Sequence, residues 1–146
     1  MPNNDLSWLS RSELLIGPEG IAKLQASHVL VVGLGGVGSF AAEFIARSGV
    51  GTMTIVDGDV VDPTNRNRQL PALATNHGVS KAQIMAERLL AINPALKLTS
   101  SPSGSFKINS LMKVATLSFE TTSHSHSLTP NTSSGIVIFR SFLTAT

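Results

Sequence analysis

The sequence predicts an α/β domain built on a parallel sheet, and three observations predict it. The apolar run Val29-Leu30-Val31-Val32 leads directly into Gly33-Leu34-Gly35-Gly36-Val37-Gly38. A second strand-like run, Met53-Thr54-Ile55-Val56, ends at Asp57. Between them lies a stretch of helical periodicity. Strand, glycine turn, helix, strand and acid thus follow one another as in a nucleotide-binding βαβ unit. The expected class is a Rossmann-like nucleotide-binding fold with a parallel sheet, incomplete over this chain, with an irregular C-terminal tail.

The elements follow in order. Residues 12–25 read as helical, broken at Gly17-Pro18, with a second turn through Leu24. The first strand is 28–33. A helix from Gly36 to Arg47 carries Phe40, Ala41, Phe44 and Ile45 at helical spacing, with Gly49 as its stop. The second strand is 52–57, and a polar, Asn-rich loop spans 58–79. Ser80-x-x-Gln83 forms a capping box that opens the next helix, which ends at Asn93 because Pro94 follows. Its residues Ala82, Met85, Leu89 and Ile92 share one face, and a third strand falls at 95–99.

Composition then changes. Residues 99–146 hold 20 Ser or Thr in 48 positions and four charged residues, Lys107, Lys113, Glu120 and Arg140. No Asp follows Asp62. The tail offers one helix, Phe106 to Ala115, and one strand, Ile136 to Phe139. The domain division expected is therefore a nucleotide-binding part over 1–100 and a Ser/Thr-rich tail over 101–146.

The bulk numbers exclude several classes. At 146 residues the chain is sized for one domain, which buries about two-thirds of its surface on folding. Charged residues make up 14%, below the usual value of about 25%. A net charge of +2 does not imply nucleic-acid binding, although Arg66, Arg68, Lys81 and Arg88 share one stretch. With no Cys, the chain carries no disulfide, no thiolate metal site and no thioester of its own. Its polar start, Met1-Pro2-Asn3-Asn4-Asp5, is not a signal peptide, and Ile136-Val137-Ile138-Phe139 is too short to span a bilayer. A cytoplasmic protein without membrane contact is expected.

Glycines let the turn be tight and let backbone N–H groups approach a phosphate, while the following helix presents its positive end. Asp57 is placed to accept from ribose hydroxyls. The plainer alternative is a structural turn packed closely on its helix. Asn65-Arg66-Asn67-Arg68-Gln69 suits a triphosphate, because arginine contacts phosphate oxygens in pairs and amides orient them. Its alternative is a solvated polar loop. Lys81 is the first residue of its helix, where a cation opposes the dipole by about 0.3–1 kcal/mol, so an anion within reach explains it better. Arg11, judged alone, reads as a surface arginine. His28 flanks the first strand and His77 sits in the loop. His124 and His126 lack the further ligands of a metal site.

Together these residues resemble the ubiquitin-activating-like (ThiF/MoeB/HesA) superfamily, and within it the tRNA threonylcarbamoyladenosine dehydratases. The likeness rests on Arg11, the glycine turn 33–38, Asp57-Gly58-Asp59, Asn65-x-Asn67-Arg68-Gln69 and Lys81-Ala82. It extends to Trp8-Leu9-Ser10-Arg11, Arg47-Ser48-Gly49-Val50-Gly51 and Met85-Ala86-Glu87-Arg88. The resemblance implies an enzyme that binds Mg-ATP and adenylates a carboxylate. Gly33, Gly35, Gly36 and Gly38 would line the phosphates, and Asp57 and Asp59 would belong to the nucleotide site. Asn65, Arg68, Gln69 and Lys81 would bind and polarise the triphosphate. Arg11 would enter the ATP site of a partner in a homodimer, so that Arg11, Arg68 and Lys81 form the catalytic set. The activated carboxylate would be the threonyl group of a modified tRNA adenosine, cyclised with loss of AMP.

The resemblance covers about residues 7–100. The acid that ligates Mg²⁺ in the family, within an Asp-x-x-Asp stretch beyond the fourth strand, has no counterpart after Asp62, and Glu120 lacks its context. A truncated or frame-shifted product, incomplete as an enzyme, is the corresponding expectation. A non-catalytic module that binds nucleotide or a partner is the main alternative. An NAD-dependent oxidoreductase is allowed by the glycine turn and disfavoured by the Asn/Arg/Gln loop and Lys81.

Overall fold

The computed structural model describes residues 5–101 and 140–141. Helix α1 (Ser10–Gln25) follows a 3₁₀ turn at Ser7–Leu9 and bends at Gly17 (φ 70°, ψ 171°), where two helical pieces meet before Pro18. Strand β1 (His28–Val32) leads through the glycine turn to α2 (Gly38–Arg47) and β2 (Thr52–Val56). Helix α3 (Lys81–Ile92), strand β3 (Lys97–Ser101) and the two-residue β4 (Arg140–Ser141) complete the described elements.

The sheet order is β3-β2-β1-β4. Strands β1 and β2 run parallel from His28↔Thr52 to Val32↔Val56, and β2 and β3 run parallel from Thr52↔Lys97 to Val56↔Ser101. Short β4 pairs antiparallel with the start of β1 at His28↔Ser141 and Val29↔Arg140. Three parallel strands joined by α2 and α3 are two successive βαβ units, as the hydrophobic pattern predicts. Alternate strand residues Val29, Val31, Met53 and Ile55 meet Ala42 and Ala46 of α2 and Met85 and Leu89 of α3 in one core. This packing places both helix N-termini at the same edge of the sheet, beyond the C-terminal ends of β1 and β2, where open α/β sheets bind ligands. No described helix is long and apolar enough to cross a membrane.

Four expectations are corrected. Phe40 and Phe44 do not face the core: they are 41% and 68% exposed, and Gly38, Ser39, Ala42, Glu43 and Ala46 are buried instead. Ala42 and Ala46 make the contact with the core and Ile45 packs beside them, while Glu43 is buried between α2 and α3 in its pairs with Arg47 and Arg88. The helix starts at Gly38 rather than Gly36, because residues 35–37 remain in the turn. Of the capping box on α3 only one half forms: Ser80 Oγ accepts from Gln83 N–H at 3.4 Å, but the Gln83 amide donates to Glu87 at 3.2 Å. Strand β3 lies two residues later than expected, because Pro94 and Ala95 sit in a turn closed by Leu96 N–H to the Asn93 carbonyl. The helix at Phe106–Ala115, the strand at Ile136–Phe139, Glu120 and the pair His124/His126 lie outside the described residues.

Candidate functional site

The glycine turn is fixed from both sides. Gly33, at φ 85°, donates its N–H to the Val56 carbonyl at 2.8 Å, tying the turn to the end of β2. At Gly38 an added Cβ would lie 1.8 Å from the Gly33 carbonyl oxygen, so no other residue fits where the helix crosses back over the turn. Buried Ser39 donates its hydroxyl to the Gly35 carbonyl at 2.5 Å and holds that peptide in place. Among the described residues, the N–H groups of Gly35, Gly36, Val37 and Gly38 donate to no acceptor of the chain. Four consecutive free donors at a helix N-terminus form a place for an anion.

Asp57 clasps this turn. Its Oδ2 accepts from Leu34 N–H at 2.5 Å and its Oδ1 from Asp59 N–H at 2.8 Å, and the residue is 8% exposed. Each oxygen keeps a second lone pair, which is what a ribose hydroxyl would use. Asp59 in turn receives Lys81: Nζ lies 3.0 Å from Oδ2, and Lys81 N–H donates to the Asp59 carbonyl at 3.1 Å. The Lys81 side chain is 5% exposed, whereas that of Asp59 is 76% exposed. The anion expected within reach of Lys81 is therefore already present in the chain.

The loop after β2 is ordered rather than loosely solvated. Asp62 caps the 3₁₀ turn Pro63–Asn65, and Asn65 Oδ1 accepts from Asp62 N–H at 3.1 Å, a reciprocal capping box. Hydrogen bonds from the Thr64 hydroxyl and backbone hold the Asp62 carboxyl below its ordinary pKa. The peptides of Arg68 and Gln69 donate to the Asn65 carbonyl. Arg68 lies over the turn, so that a Cβ on Gly36 would sit 3.4 Å from its carbonyl and 3.7 Å from its Cγ. Its guanidinium donates to the Thr64 carbonyl and to Asn67 Oδ1. Gln69 Oε1 is buried without a hydrogen-bond partner, a condition that costs about 1–3 kcal/mol until a ligand or water supplies a donor.

Gly33, Gly35, Gly36, Gly38, Asp57, Asp59, Asn65, Arg68, Gln69 and Lys81 are thus joined by a continuous set of contacts around one edge of the sheet. Two basic residues stand apart. Arg88 bonds Glu43 of α2, which also holds Arg47, so it braces α2 against α3 instead of joining a basic face. Arg11 is exposed on α1 and makes no hydrogen bond or ion pair with the described residues. Sequence reasoning missed Asp62 and Asn76, which order the loop. The spacing Asp62-Pro63-Thr64-Asn65 is itself a capping signal, with proline at the first helical position. Asn76 accepts from Leu73 N–H and donates to the Pro71 carbonyl, and no local pattern announces that.

The residues around the glycine turn line a shelf at the edge of the sheet beyond the C-terminal ends of β1 and β2, from which α2 and α3 begin. A hollow of about 690 Å³ between α1, β1 and α2, lined by Leu15, Ile16, Leu24 and Ile45 among others, is apolar and contains no residue of the glycine turn. Among the described residues no three of His, Asp or Glu converge as metal ligands.

The model of the ThiF family matches residues 9–117. The tRNA threonylcarbamoyladenosine dehydratase of Bacillus subtilis (strain 168) is 55% identical over 89 residues, covering 61% of this chain and 35% of the relative. The enzyme of that name from Escherichia coli (strain K12) is 48% identical over 85 residues, covering 58% and 32%. The crystal structure of the E. coli dehydratase TcdA in complex with ATP aligns with a TM-score of 0.63 at 42% identity, over 67% of this chain and 42% of that one. The chain spans about a third of the length of the curated relatives it matches.

Proposed function

The chain belongs to the ThiF family, and from that membership we propose that it binds ATP on its glycine turn, as the nucleotide part of a carboxylate-adenylating enzyme of the tRNA threonylcarbamoyladenosine dehydratase kind. The observation that carries this reading is the set of four free N–H groups at the N-terminus of α2, beside the buried cation Lys81. The N–H groups of residues 35–38 bind phosphate oxygens, and Asp57 accepts from the ribose. Lys81 and Arg68 offset charge on the departing pyrophosphate, and Gln69 Oε1 takes a donor from the ligand. A carboxylate oxygen attacks the α-phosphorus as the α–β bridge breaks and pyrophosphate leaves. Ring closure then expels AMP. The substrate carboxylate is that of a threonyl-modified tRNA adenosine, in a cytoplasmic setting.

In a homodimer, exposed and unpaired Arg11 would reach the ATP site of the second copy. Mg²⁺, which the family implies, does not fit the described residues. Asp57 and Asp59 are the only carboxylates placed at the shelf among them, and both are engaged by the chain. The second reading is a module that holds nucleotide without turning it over.

Thermal shifts with ATP and NAD, followed by pyrophosphate release with ATP and modified tRNA, test the proposal. Stabilisation by ATP is expected. Stabilisation by NAD alone would refute ATP binding, and ATP binding without pyrophosphate release would select the second reading.

A further inference from the structure

The ion pair between Lys81 and Asp59 is asymmetric in a way that suggests what it does. Lys81 is enclosed, with a side chain 5% exposed, and stands at the first position of α3, where the helix dipole opposes it. An enclosed cation without a counter-ion is strongly unfavourable. Asp59 has no matching need, because its side chain is 76% exposed and water solvates it. The backbone on either side is pinned by Lys81 N–H to the Asp59 carbonyl, by the bridge Val60↔Ser80 and by Asp59 N–H to Asp57. The Asp59 carboxylate, by contrast, is exposed, and its side-chain contact among the described residues is the one to Lys81 Nζ.

We propose that Asp59 is a displaceable counter-ion: it holds Lys81 charged and in place while the shelf is empty, and gives way to a polyphosphate when one binds. The inference rests on the nucleotide reading above and deepens it, because it makes Asp59 a positioning residue that competes with the ligand. It separates two carboxylates that sequence alone groups together. Asp57, buried and doubly bonded, is fixed; Asp59 moves.

Calorimetric titration of the full 146-residue chain with inorganic tripolyphosphate, ATP and adenosine tests this. Removing an exposed competitor by Asp59→Asn is expected to tighten tripolyphosphate and ATP by about two- to five-fold, the range in which an exposed ion pair acts. Adenosine, which carries no charge, is expected to bind as before. Adding Asp59→Asn to Lys81→Met is expected to change nothing further. In the unsubstituted chain, the ¹³C resonance of the Asp59 carboxylate should move to the position of a solvated aspartate on saturation with tripolyphosphate. That readout needs no variant to fold. Weaker or equal tripolyphosphate binding by Asp59→Asn, or an Asp59 resonance that stays in place, would overturn the counter-ion role while leaving ATP binding intact. An unsubstituted chain that binds neither tripolyphosphate nor ATP would overturn both.

Discussion

Replacing Gly38 by alanine sets two effects of opposite sign against each other. Alanine favours the helix over glycine by about 1 kcal/mol in a helix interior, and by less at a first position. Against this, the new Cβ would stand 1.8 Å from the Gly33 carbonyl oxygen and 2.9 Å from its carbon, where ordinary contact lies at 3.4–4 Å. The obstacle is backbone, so no side chain can rotate away. Helix α2 would have to withdraw by about 1.6 Å from a core that is already close-packed. Overpacking of this kind costs about 1–3 kcal/mol, which leaves a net loss of about 1–2 kcal/mol. Urea unfolding followed by circular dichroism should therefore give a midpoint lower by about 0.3–2 M, given slopes of about 1–3 kcal/mol/M. Gly36→Ala is the control. Its Cβ meets the Arg68 carbonyl at 3.4 Å, and stability should stay within about 0.5 kcal/mol. Equal stability of Gly38→Ala and the unsubstituted chain would refute the close crossing of helix and turn.

Hydrogen bonding to Arg88, with Arg47 beside it, holds the Glu43 carboxyl below its ordinary pKa. Its stabilising contribution is thus full above the unfolded pKa and is lost as pH falls through the folded one. Unfolding free energies of Glu43→Gln and the unsubstituted chain, measured by urea titration, should differ by about 1 kcal/mol at neutral pH, the arginines being half exposed, and converge in acid. Phe44→Ser, at a position 68% exposed, should shift stability by less than about 0.5 kcal/mol; a larger loss would place Phe44 in the core after all. Asp62→Ala removes the cap of the 3₁₀ turn, so amide exchange at Thr64 and Asn65 should quicken while that of α2 stays unchanged.

The parallel sheet was legible because its signals are local and redundant: apolar runs of strand length, a glycine turn, a proline after Asn93. The inner face of α2 was not, because helical spacing groups residues onto a face but does not say which face the sheet covers: Ala42 and Ala46 join the core, and Phe40 and Phe44 stay exposed. At the site, the residue types were readable and their pairings were not. Lys81 announced an anion, and it is the pairing of residues 59–60 with 80–81, remote in sequence, that brings Asp59 to it. Arg88 looked like a member of a basic cluster until Glu43, 45 residues away, claimed it.

The bond from Leu34 N–H to Asp57 has a consequence for the entropy of binding. A loop that must be ordered by its ligand loses about 1–2 kcal/mol of backbone freedom per residue at the moment of capture. Here Asp57, Ser39 and the Val56 carbonyl have already frozen the turn on folding. A phosphate arriving at α2 would meet donors that need no rearrangement, and little of the attraction would be spent on organising the protein. Rigidity fixed at folding, and not ordering at capture, would then set the affinity of this turn for a phosphate.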